Sequence, residues 1–141
     1  VSYDQSELQY ANEIYETFID PDNLIGSQET IRPFKTSHGY GSTDVGDVSW
    51  NVPTAGLRTA TWVPGTASHS WQAVASGGTS IGVKGAELAA KTLAKSIIEI
   101  LSNPSIIEVA QEELDRRVGE DFVYQPLLGD RKPPLDYRKV N

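Results

Sequence analysis

Apolar positions fall at helical spacing towards both ends of the chain and alternate once near its middle. In residues 2–18, Leu8, Ala11, Ile14, Tyr15 and Phe18 share one face, which predicts an amphipathic helix packed on a core. Ser2 and Gln5 stand at capping-box spacing at its start, and Asp20-Pro21-Asp22-Asn23 stops it. Residues 31–34 read as a short strand that Pro33 would confine to an edge or an end. In residues 57–63, Leu57, Thr59, Thr61 and Val63 alternate with Arg58, Ala60 and Trp62. This β-branched run suits a largely buried strand.

After Gly77-Gly78, the longest helix starts at Thr79 or Ser80 and reaches about Leu101. Ile81, Gly85, Leu88 or Ala89, Thr92 or Leu93, Ser96 or Ile97, and Ile100 lie along its expected buried stripe. Gly82, Gly85, Ala86, Ala89 and Ala90 would let it lie close across a sheet. Asn103-Pro104 opens a further helix over 104–118, with Ile107, Ala110, Leu114 and Val118 inward and Gly119 as its stop. Residues 122–141, broken by Pro126, Gly129, Pro133 and Pro134, read as extended coil laid on a surface.

With 141 residues, 38% hydrophobic and 22% charged, the chain fits one globular domain. The absence of cysteine removes any disulfide framework. The most apolar stretch, 86–101, is interrupted by Glu87, Lys91, Lys95 and Glu99, which excludes a membrane span there. A net charge of −7 without a compensating basic patch repels phosphate backbones and argues against nucleic acid as a partner. That acidity is otherwise ordinary for a cytoplasmic enzyme. The chain begins at Val1 and has no methionine, so we expect a cut or processed piece of a longer polypeptide.

Candidate chemistry concentrates in residues 38–71. Gly39, Gly41, Ser42, Thr43, Asp44 and Gly46 form a turn rich in small and polar residues, and His69 follows the 57–63 strand. Glycine lets a backbone approach a ligand, and Ser, Thr and Asp place hydrogen-bonding groups beside it. The same run also reads as a plain turn or helix cap, and His69 as a surface or capping residue. Residues 44–50 suggest a short helix capped by Thr43 or Ser42. Its free N–H groups would favour a substrate carboxylate unless the hydroxyl satisfies them itself. His38, three residues before the turn, is either a surface residue or a substrate contact.

The consecutive runs GSTDVGDVSWNVPT and GLRTATWVPGTASHSWQAVASGGTSIG resemble the C-terminal part of the M20 metallopeptidase/amidohydrolase family. Its aminobenzoyl-glutamate branch is the nearest, and the likeness is good over about residues 41–101. The resemblance implies an α/β fold, with residues 1–141 forming the C-terminal segment of a three-layer, zinc-exopeptidase-like catalytic domain. It implies two divalent metal ions, zinc or manganese, with His69 as the last metal ligand. Gly41, Ser42 and Thr43 become substrate-side contacts, and Asp44 organises the loop. The implied reaction is hydrolysis of an amide bond to an amino acid, p-aminobenzoyl-glutamate being the nearest substrate type. The family's general base, remaining ligands and lid or dimerisation domain have no counterpart here. With two histidines and no cysteine, the segment is expected to hold no metal alone and to be inactive alone. Its partners would be a small-molecule amide, the remainder of its own chain and further subunits in a homo- or hetero-oligomer. A dipeptidase or acyl-amino-acid hydrolase of the same family, and a binding or assembly module without chemistry, are the alternatives.

Overall fold

Asp4 rather than Ser2 starts the first helix. The computed structural model, which describes residues 1–36, 41, 43–135 and 138, places α1 at Gln5–Tyr15. The Asp4 carboxylate accepts from the Glu7 N–H at 2.9 Å, and the Glu7 carboxylate accepts from the Asp4 N–H at 2.8 Å. These bonds satisfy two otherwise orphaned donors reciprocally. At the other end, the N–H groups of Thr17 and Phe18 turn back to the carbonyls of Ile14 and Tyr15, so the helix stops short of Phe18. Ala11 and Ile14 are buried with Val63 and Ile81, and Tyr10, Tyr15 and Phe18 pack around them. Leu8, expected inside, stays exposed.

The chain divides into two compact units, one of Val1–Gly39 with Ala55–Asn103 and the other of Tyr40–Thr54 with Pro104–Asn141. The first holds α1, a 3-10 turn at Ser27–Glu29, and two helices that follow His69, α3 (Trp71–Gly77) and α4 (Ser80–Ser102). The second holds α2 (Val45–Ser49) and α5 (Ser105–Val118).

α4 starts where the Gly77-Gly78 break and Thr79 place it. Two of its glycines make close approaches: a Cβ at Gly82 would run into the Gly77 carbonyl, and one at Gly85 into the Ala60 carbonyl. The small residues thus work as expected, but against a helix end and an irregular segment rather than a sheet. The expected stripe is buried only at its start, at Ile81, Gly82 and Gly85. From Leu88 onward α4 is largely exposed, Ile97 to 57%, because no described segment covers that part of it.

No strand forms among the described residues. Residues 53–61 run without turn, bend or ladder, and so do residues 31–36, where Ile31 and Phe34 are 100% and 96% exposed. A β-branched run becomes a strand only when another segment bonds to it, and here none does. Only Val63 at the end of the expected strand is fully buried. α5 ends at Gly119, whose φ of 86° is the left-handed stop that glycine permits. Ile107, expected inward, is exposed, and Ala110, Leu114 and Val118 are half-buried. Among the described residues no helix is long and apolar enough to cross a membrane.

Candidate functional site

His69 sits on a turn that is fixed at both ends. The Thr66 N–H and hydroxyl both donate to the Val63 carbonyl, at 3.1 and 2.7 Å. Gly65 turns with φ 91° where a Cβ would come within 2.8 Å of Pro21 Cβ, so only glycine fits. Beyond the turn, the Ser70 hydroxyl donates to the Ala67 carbonyl at 2.7 Å and accepts from the Ala73 N–H at 3.2 Å. That bond caps α3, a helix the hydrophobic pattern did not reveal although a serine stands at its start. Between these anchors His69 has φ 61° and an exposed side chain. Left-handed backbone at a residue other than glycine costs roughly 1–2 kcal/mol and persists where the surroundings dictate it.

Gly41, Thr43 and Asp44 lie in the second unit and are exposed. The N-cap of α2 is Asp44 rather than Thr43 or Ser42; the Thr43 hydroxyl, one residue earlier, accepts from the Val45 N–H at 3.3 Å. Asp44 makes no side-chain cap bond. α2 is only 5 residues long, too short to present an aligned helix terminus to an anion. Ser42 and His38 fall outside the described residues.

The most elaborate polar cluster is one the sequence pattern concealed. Glu7 is 5% exposed, and its carboxylate accepts from Lys84 Nζ, from Ser80 Oγ at 2.6 Å and from the Asp4 N–H. Lys84 also donates to the Ser2 carbonyl at 3.3 Å. The ammonium of Lys84, followed by the Ser80 and Asp4 donors, holds the Glu7 carboxyl down to about 2. Tyr3 stands beside it, its phenol pushed up to about 12 by burial first and by the Glu7 charge second. A legible signal existed: Glu7 occupies the same helical stripe as Ala11, Ile14 and Phe18, an acid where a hydrocarbon is expected. Ser80 and Lys84 are four residues apart and so share a face of α4. Both are committed to Glu7, so the trio clasps α1 to α4 and offers no free nucleophile or base.

Among the described residues no group of three or more His, Cys, Asp or Glu could hold a metal ion. One exposed imidazole does not fit a two-metal centre, so no step can be assigned through a metal on these residues alone.

No protein-family profile matches the chain, and no solved structure matches it. Over 72 residues it is 43% identical to one of the subunits of the p-aminobenzoyl-glutamate hydrolase of Escherichia coli (strain K12). The match takes in 51% of this chain and 15% of that protein's length. This chain is therefore similar, over half its length, to part of a hydrolase subunit.

Proposed function

We propose that this chain contributes to a metal-dependent amidohydrolase that cleaves an amide bond to an amino acid, of the p-aminobenzoyl-glutamate kind. The observation that carries the reading is the 43% identity over 72 residues to a subunit of a p-aminobenzoyl-glutamate hydrolase. The α/β three-layer domain of the M20 family is the architecture it calls for, and residues 57–63 have the composition of one of its strands. His69 is the proposed metal ligand, supported by its exposed imidazole and its dictated left-handed backbone. Two divalent ions, zinc or manganese, would polarise the amide carbonyl and supply hydroxide when bound. Their other ligands would have to come from beyond the described residues, so the chain alone is expected to be inactive. Gly41, Ser42 and Thr43 are proposed to face the substrate carboxylate, with further subunits completing the assembly.

His69→Gly tests this without a folding confound, because glycine accepts φ 61° freely. The protein is purified from its source with whatever polypeptides accompany it and assayed on p-aminobenzoyl-glutamate beside simple dipeptides. We expect release of p-aminobenzoate to exceed dipeptide cleavage. His69→Gly should lower it by at least about 100-fold, with reduced metal content and an unchanged or raised melting temperature. Full activity and full metal occupancy in that variant would remove the assignment.

A further inference from the structure

The first unit carries a groove of about 1040 Å³ between residues 27–35 and 58–66. Residues 31–35 and 58–61 of its lining belong to two stretches, 31–36 and 53–61, that run without turn or bend. Among the described residues, the main-chain N–H and C=O groups of residues 31–36 and 57–61 hydrogen-bond to nothing in the chain. Each stretch is about the length of an ordinary strand. Unpaired main chain of this kind is the template to which another strand adds.

Charge is distributed unevenly as well. The whole chain is acidic, at −7, yet the groove is lined by Arg32, Lys35 and Arg58 against one acid, Glu29. Arg32 donates to the Asn23 side chain at 2.8 Å, and none of the three forms an ion pair among the described residues. Ile31 and Phe34 stand on the same wall as Arg32 and Lys35 and are almost fully exposed. The volume is at the upper end of what small-molecule sites occupy, and the cations are spread along it rather than gathered at one point.

We infer that this groove binds an extended acidic peptide segment, which adds as a strand to the open backbone of residues 31–36 and sets its carboxylates against Arg32, Lys35 and Arg58. His69 is not among the residues that line the groove, and binding there does not depend on amide hydrolysis. Affinity would come from main-chain hydrogen bonds and selectivity from charge, so binding should weaken with salt.

The probe is a fluorescently labelled, end-blocked peptide of about eight residues alternating glutamate and valine, a strand-length ligand. Binding to the full chain is followed by fluorescence anisotropy. We expect saturable binding at least about tenfold tighter than that of a lysine–valine peptide of equal length, weakened by salt. Arg58→Glu should reduce the preference at least about fivefold, with the far-UV spectrum unchanged because Arg58 is exposed. Methylating alternate backbone nitrogens of the probe should cost about tenfold, roughly the loss of one or two hydrogen bonds. Equal binding of the acidic and basic peptides would overturn the inference. So would full retention of affinity on N-methylation, or competition by free glutarate at the concentration of the peptide itself.

Discussion

The two units differ in what holds them together. Every buried side chain among the described residues belongs to the first: Ala11, Ile14, Val63, Pro64, Ala73 and Ile81, with Glu7 and Ser76 as the polar exceptions. The second unit has none, and relies on a stack of Trp50 on Phe122 at 5.0 Å and a hydrogen bond from Tyr124 to Asp47. Hydrophobic burial scales with area removed from water, whereas contacts between half-exposed groups add little. The first unit should therefore open as a cooperative body and the second should exchange its amide protons much sooner. A secondary-structure element need not imply a core: α5 is a regular helix of 14 residues without one buried side chain.

The largest effect should follow from Ile81→Ala. Ile81 is fully buried at the point where α4 meets α1 and Val63. Removing its methylene groups leaves a cavity and should cost about 3 kcal/mol in urea unfolding of the first unit. Exchange rates in α5 should not change. If they rose in step with those of α4, the two units would be a single cooperative body.

Next comes Glu7→Gln, which keeps an acceptor for the Asp4 N–H but discards the charge facing Lys84. Glu7 is buried while the Lys84 side chain is 40% exposed, so the expected cost is about 1–2 kcal/mol. The pH dependence has a definite sign. The carboxyl is held down to about 2 in the folded chain against an ordinary 4.5, so its contribution is complete above pH 4.5. It fades as pH falls from there towards 2. The wild-type protein should lose stability across that window more steeply than Glu7→Gln, as followed by thermal melts at successive pH values. Parallel curves would show that the clasp is not charged.

Local signals survived from sequence to structure, and signals that need a partner did not. The start of α4 at Ser80 and the stop of α5 at Gly119 depend on neighbours within a few residues, and both are where the sequence places them. The first cap moved from Ser2 to Asp4 because Glu7 completes a second bond that a residue-type rule does not rank. The strand at 57–63 and the stripe from Leu88 to Ile100 are long-range propositions. Their patterns specify a face to be covered but not the segment that covers it, and no described segment does. His69 was legible in the sequence as a histidine that follows the 57–63 run. Its φ of 61° was not, because backbone strain leaves no trace in residue type alone.

The smallest effect sharpens the same contrast, since each unit holds a carboxylate that accepts from a side-chain donor distant in sequence, Glu7 from Ser80 and Asp47 from Tyr124. In the second unit Tyr124 donates to Asp47 Oδ1 at 2.6 Å, in the open. That bond, then slight desolvation and the Asp47 charge, raise the phenol above its ordinary value of 10.0. A raised phenol stabilises the fold below that ordinary value and loses its contribution as pH climbs through the higher one. Asp47→Asn should bring the Tyr124 titration back towards 10.0, read from tyrosinate absorbance, while the melting temperature at neutral pH stays put. Solvent screens the exposed pair and leaves little stability to lose, whereas the same kind of contact around Glu7 is shut away from water. If Asp47→Asn lowered the melting temperature as far as Glu7→Gln, burial would not be what separates the two units.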